Sequence, residues 1–471
     1  MRKRVIASTA VALGLLLATP ASGAEAGPGA PGIGDPYYPT YGNGGYDVAH
    51  YDLNLGYQPA TDTLTGTATI SATATQGLTS FDLDFALTVS KVTVDGRAAQ
   101  FATSGEQELV ITPARTIPSG KRFTVAVTYS GVPSTVKRYG FTSWARTPDG
   151  GVAANEPESA WWWYPSNDHP LDKASYDVNI RVPSGSQAIS NGLLVSQRTT
   201  DGWTSYHWRE TKPQATYLTT LAVGKFDITH STTAAGVPVI NAYSTALSPT
   251  VAANARASVE RTGEIVDFLS GWFGPYPFES AGGYVPNVPT HFSVEEQTRV
   301  FYSPAAVANV NTSVVAHELA HQWFGDDVSL ARWSDIWLNE GFASYAQYLW
   351  AEHEGQGTPQ ELAQQDYDSI PADDPFWTVE PGDPGPDKQF DDAVYTRGAI
   401  AIQALRDTIG DKAFKTLLKA WPAQHRYGNG TIAQFQQLAE KLSGQDLDSF
   451  FQTWLYTSGK PASFPAGPTT S

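Results

Sequence analysis

The sequence predicts a multidomain β and α+β protein, with an N-terminal β-sandwich followed by a mostly helical domain. Three observations carry this. The 471 residues, 41% hydrophobic and 16% charged, have a globular composition with room for two or three domains and a large core. From 46 to about 230, apolar and polar residues alternate, as in Tyr51-Asp52-Leu53-Asn54-Leu55, Phe123-Thr124-Val125-Ala126-Val127 and Tyr176-Asp177-Val178-Asn179-Ile180. That is the period of half-buried strands, punctuated here by Gly, Asp and Ser turns. After Phe226 the apolar residues take helical spacing over about 250–273, 311–324, 335–352, 397–409 and 431–442.

These patterns set the domain organisation. Residues 25–45, rich in Gly, Pro and Tyr, read as a flexible lead-in. The small, polar stretch 231–236 reads as the boundary, giving a β-sandwich over 46–230 and a helical domain over 231–465. A Pro/Asp-rich loop at 370–392 interrupts the second half, and a loop so long is more often functional than idle. With 14 Trp and 22 Tyr, the chain has enough aromatic surface to line a cleft.

Arg2, Lys3 and Arg4 precede an apolar run at 5–20 and the small residues Ala21-Ser22-Gly23-Ala24. This is the pattern of a cleaved signal peptide over 1–24, so a secreted protein is expected. The net charge of −17 argues against nucleic acid or an anionic membrane as partner and suits a cationic group such as a peptide amino terminus. No cysteine is present, which excludes disulfides, thiol catalysis and cysteine-held zinc, so any metal must be held by His and carboxylates. A monomer is expected.

The chemistry is concentrated in His317-Glu318-Leu319-Ala320-His321. On a helix, residues four apart share a face about 6 Å along the axis, so both imidazoles can reach one ion. Glu318 lies beside that face, placed to act on water without ligating the metal. Asn311, Thr312 and Ser313 offer helix caps upstream. Catalytic zinc takes three protein ligands and leaves one position open. Glu340, within Trp337-Leu338-Asn339-Glu340-Gly341-Phe342-Ala343 on a second expected helix, completes the count. The metzincin alternative needs Gly and His where Phe324 and Asp327 stand, and fails.

With eighteen residues between His321 and Glu340, this set resembles the gluzincin aminopeptidases related to aminopeptidase N and leukotriene-A hydrolase. Similarity extends to Glu156-Pro157 through Tyr164-Pro165 and Asp168-His169-Pro170, to Val394-Tyr395-Thr396-Arg397-Gly398-Ala399, and to Phe450–Trp454 with Pro461. The resemblance implies a saddle-like β-domain packed on a thermolysin-like catalytic domain, in a short form lacking a C-terminal helical domain. It implies one zinc ion on His317, His321 and Glu340, with Glu318 as general base and then acid, and Tyr395 stabilising the oxyanion. It also implies that Glu295, with Glu156 or Glu158 and preferably Glu156, holds the α-ammonium of a peptide with a free N-terminus. The chain departs from the family at its Gly-x-Met-Glu-Asn motif, which reads Phe292-Ser293-Val294-Glu295-Glu296 here. If that segment is an edge strand, alternation turns Glu295 to the substrate and Glu296 away. The competing readings are a zinc endopeptidase or epoxide hydrolase at the same centre, and a non-catalytic β-sandwich binding protein.

Overall fold

The computed structural model describes residues 25–138 and 140–465; the signal peptide expected at 1–24 lies outside them. The N-terminal domain is built on an eight-stranded mixed sheet. Its central strands, Ala174–Pro183, Tyr46–Gln58, Thr63–Ala74 and Arg122–Gly131, lie side by side, and only the first of these pairs is parallel. The alternation works as read: Tyr51, Leu53 and Tyr57 are fully buried while Asp52 and Asn54 face outward. Two four-stranded sheets cover the buried face. One packs Phe81 against Phe123, ring centroids 5.3 Å apart, and the other packs Trp144 against Tyr57 at 5.2 Å.

The second domain opens with a four-stranded sheet of Phe226–Thr232, Pro238–Ser244, Ala281–Val285 and Val300–Phe301. The stretch 231–236, read as the domain boundary, is instead the turn end of the hairpin made by the first two of these strands. Small polar residues mark a tight turn as readily as a linker, so composition alone misplaced the junction. Helices follow: α1 (Pro249–Val259), α2 (Thr262–Phe273), α3 (Thr312–Ala320), α4 (Trp337–His353) and α5 (Pro359–Ser369). The remainder are α6 (Asp392–Ile409), α7 (Asp411–His425), α8 (Ile432–Ser443) and α9 (Asp448–Leu455). No helix among the described residues is long and apolar enough to cross a membrane.

Two close approaches place the site. Helices α4 and α6 cross where Gly341 meets Gly398: a Cβ on Gly398 would stand 3.1 Å from the Gly341 Cα and 2.9 Å from Trp337. Any larger residue would push Tyr395 away from Glu340. Arg397, fully buried on α6, donates to the carbonyls of Trp377 and Val379, both at 2.8 Å, and to Thr457 at 2.7 Å. One guanidinium thus ties the 370–392 loop and the C-terminal segment to the helix that carries Tyr395.

The lead-in at 25–45 is a structured clasp, not a loose tail. Asp35 is buried, pairs with His169 at 3.1 Å and accepts the Trp333 N–H at 2.8 Å, so it joins the β-domain to the segment just before α4. Tyr38 donates to Gln389 at 2.7 Å, and Tyr37 bonds Asp383 and accepts the Gly385 N–H. Glycine and proline in this segment suggested looseness, but they serve tight turns whose tyrosines reach partners some 350 positions away in sequence.

Asp172 anchors the chain just before the Ala174–Pro183 strand, accepting the Val48 N–H at 3.0 Å. Burial, with the nearby Asp47 charge adding to it, pushes its carboxyl from 3.8 up to about 8. The folded chain therefore keeps a proton that the unfolded chain releases above its lower pKa. This contribution to stability is complete below about pH 3.8 and is lost as pH rises towards about 8. The melting temperature should accordingly fall across that window in a pH series, and Asp172→Asn should flatten the slope whatever its baseline stability.

Candidate active site

Helix α3 starts where Asn311 accepts the Val314 N–H on its side chain, and ends at Ala320 with His321 as its cap. It is shorter than the 311–324 expected, because the chain turns sharply through Gly325 at φ 134°. His317 and His321 still share a face, their ring centroids 5.0 Å apart. Glu340, in the first turn of α4, places Oε2 3.3 Å from His317 Nε2 and 3.5 Å from His321 Nε2.

The partners on the far side of each ring settle which nitrogens face inward. His321 Nδ1 lies 3.1 Å from the Phe324 carbonyl, which can only accept, so Nδ1 carries a hydrogen and the neutral ring leaves Nε2 bare. His317 Nδ1 lies 3.2 Å from Gln347 Oε1, while the amide nitrogen of Gln347 donates to Ser313 Oγ at 2.8 Å. Two bare imidazole nitrogens and a carboxylate oxygen thus converge. The Glu340 Oε2 is buried without a hydrogen-bond partner among the described residues. Acceptors facing one another require a shared cation, and one N, N, O set within 4.8 Å suits zinc. A proton is the lesser substitute. Burial raises the Glu340 carboxyl, but once such a proton charges His321, that charge and the contacts to both imidazoles outweigh the rise and hold the carboxyl well below its usual range.

Glu318 faces the same space and is nearly fully buried. Burial, with His321 opposing and the charges of Glu295 and Glu340 reinforcing, pushes its carboxyl well above the ordinary value. A carboxylate so placed is a stronger base than one in water. Tyr395 lies over His317, ring centroids 6.0 Å apart and planes at 19°, within the field of Glu340 and Glu318.

Glu295 and Glu296 diverge as expected, though the segment is not an edge strand. Only Val294 makes a bridge, to Phe301, and the chain then turns tightly through Thr298 at φ 65°. Glu295 accepts the Tyr217 hydroxyl at 2.8 Å and lies within reach of Glu318 and His321. Glu296 points the other way, to the Tyr284 hydroxyl at 2.8 Å. The two β-domain candidates also separate. Glu158 is occupied by the Trp161 indole at 2.7 Å and by Arg138 at 3.2 Å. Glu156 keeps Oε1 buried and without a hydrogen bond, and its carboxyl is pushed well up, first by burial and then by Glu295 and Glu340.

Sequence reading missed the residues that hold these groups. Gln347 lies seven positions after Glu340, two turns along the same face of α4, a signal that periodicity could have supplied. Gln322, next to His321, donates to the Glu295 carbonyl at 3.0 Å and accepts the Thr298 N–H at 2.9 Å. Tyr217 comes from the other domain, and no local pattern announces it.

A β-domain docked on a helical domain that offers His, His, Glu and a neighbouring basic Glu defines a zinc metallopeptidase fold and site. Residues 48–218 match the peptidase M1 N-terminal domain and residues 293–454 match the peptidase family M1 domain. An M1 zinc metallopeptidase from Deinococcus radiodurans superimposes with a TM-score of 0.84 at 27% identity, covering 93% of this chain and all of that one. Glutamyl aminopeptidase of Rattus norvegicus is 28% identical over 68% of this chain, and endoplasmic reticulum aminopeptidase 1 of Homo sapiens is 27% identical over 81%. The chain spans 36% and 44% of the length of these two relatives. It belongs to peptidase family M1.

Because Gln347 fixes the ring and tautomer of His317, Gln347→Ala should weaken zinc affinity by roughly 10–100-fold. Competition against a chelator, with folding checked by circular dichroism, measures this.

Proposed function

We propose that this chain is a secreted zinc aminopeptidase that removes N-terminal residues from peptides. The observation that carries the exopeptidase reading is the second pair of carboxylates. Glu295 and Glu156 stand beside the His317, His321 and Glu340 set, and Glu156 has an unsatisfied buried oxygen. Two carboxylates in one buried place are costly unless a cation joins them. A free α-ammonium is the cation that a peptide brings. M1 membership supports the same reading, as does a Deinococcus relative of 27% identity described in complex with a Tyr-Ser-Ala substrate.

His317, His321 and Glu340 would hold one zinc ion, which supplies a Lewis acid that makes water nucleophilic near neutral pH. Glu295 and Glu156 bind the ammonium and so fix the first residue. The carbonyl of that same residue is thereby aligned for attack, and the peptide cannot slide to an internal bond. Glu318 takes a proton from the attacking water and returns it to the leaving amine, a role that its burial favours. The Tyr395 hydroxyl donates to the oxygen on which charge develops. Burial keeps that hydroxyl protonated, as do the surrounding carboxylates.

Glu318→Gln should retain one zinc per chain by metal analysis and lose about 10²–10⁴-fold in kcat; turnover near that of the parent would refute the assignment. Glu295→Ala should weaken cleavage of free-amine substrates by about 2–5 kcal/mol in kcat/KM, and Glu296→Ala should do much less. N-acetylated peptides should be poor substrates of the parent protein, and internal cleavage of them at equal rates would make it an endopeptidase. Export rests on the basic and apolar start of the sequence. Protein recovered from the medium should begin near Glu25 when its N-terminus is sequenced.

A further inference from the structure

A cavity of about 810 Å³ adjoins the site, and Glu156 and Tyr395 both stand on its wall. These are the groups assigned to the ammonium and to the carbonyl oxygen of the first substrate residue. The Cα between those two points must project its side chain into this cavity. Resting on the aminopeptidase reading above, we propose that the cavity is a recognition site for an aromatic side chain on the N-terminal residue, with Phe292, Phe390 and Tyr38 as its specificity-determining residues.

Three observations argue for an aromatic occupant. The first is apolar surface left in the open. Phe141, Phe292 and Phe390 are 72%, 47% and 39% exposed, and all three line this one cavity. Isolated exposed phenylalanines need no explanation, but three converging from separate segments around one concavity mark a binding surface. The second is the geometry of Tyr38 and Tyr41, which line the same cavity and stack at 4.4 Å with planes 10° apart. Tyr38 is itself fixed by its hydrogen bond to Gln389, one residue before Phe390. Rigid rings meeting a ring give offset or edge contacts at little entropic cost. The third is charge. The cation on this wall, Arg138, is engaged with Glu106 and Glu158 and lies over the Tyr41 ring at 5.2 Å. An acidic side chain would meet Glu156, Glu158 and Asp387 with no gain to offset the repulsion.

Phe292 stands where the resembling motif has glycine. Its ring packs beside Phe301, centroids 6.1 Å apart, and turns its free face to the cavity three residues before Glu295. The residue that breaks the motif is therefore the one that adds an aromatic wall next to the ammonium anchor.

The test is a panel of aminoacyl arylamides, Phe, Tyr, Trp, Ala, Arg and Glu, cut by the zinc-loaded full chain. The aromatic members should exceed Ala and Glu by at least about tenfold in kcat/KM, and should exceed Arg. Phe292→Ala and Phe390→Ala should each lower the Phe/Ala ratio about fivefold or more, chiefly through KM, as loss of binding to a non-reacting part of the substrate requires. L-phenylalanine should bind the Glu318→Gln protein more tightly than L-alanine in calorimetry, and less so once Phe292→Ala is added. Preference for Ala, Arg or Glu, or a Phe/Ala ratio unmoved by both substitutions, overturns the subsite while leaving the aminopeptidase reading intact. Cleavage of no arylamide by zinc-loaded protein overturns both.

Discussion

Four carboxylates, Glu156, Glu295, Glu318 and Glu340, share one buried region with two imidazoles, and this concentration of like charge is the constraint that organises the molecule. In a low-dielectric site such groups cannot all ionise unless cations join them. The Glu340 oxygen between two bare imidazole nitrogens asks for a metal. The unsatisfied oxygen of Glu156, near Glu295, leaves a second place where a cation is missing. The site is thus built in two neighbouring halves that each lack a positive charge.

Holding such a cluster together requires scaffolding from both domains. The turn after Glu295 is stapled from the catalytic side by Gln322 and from the β-domain by Asn191, which donates to the Gln297 carbonyl at 2.7 Å. Arg299, fully buried, closes the staple with bonds to the Ile240 carbonyl at 2.8 Å and the Gly192 carbonyl at 2.7 Å, one on each domain. Burial lowers its pKa to about 10, against the opposing influence of Tyr276 and Glu210. Removing so buried a guanidinium would orphan several carbonyls at once. The domain junction and the turn that carries Glu295 are therefore one structural unit, which explains how Glu156 and Tyr217 come to lie beside helices they do not belong to.

The clasp formed by 35–41 extends the same logic to the cavity. Asp35 fixes the segment against His169 and the Trp333 backbone, and the tyrosines that follow form one wall of the space beside the zinc set. The 370–392 loop adds Pro386, Asp387 and Phe390 to the lining, with Arg397 holding its earlier part in place. Segments that carry little regular structure thus shape the cavity beside the site, on a scaffold made rigid elsewhere.

The sequence by itself determined what lies within a turn or two of chain. The spacing of His317 and His321 put two rings on one face of a helix, and the alternation around Tyr51 and Tyr176 specified a sheet buried on one side. The run around Glu340 set that residue on a following helix. All of these follow from backbone periods of 3.6 and 2, which local spacing encodes completely. Only the tertiary structure sets Glu156 and Glu158 apart, because Arg138 and Trp161 contact the second and not the first. Packing alone revealed that Tyr217 bonds Glu295, that the lead-in is a clasp, and that 231–236 is a hairpin turn. These depend on which distant surfaces meet, and contact between residues a hundred or more positions apart leaves no period in the sequence.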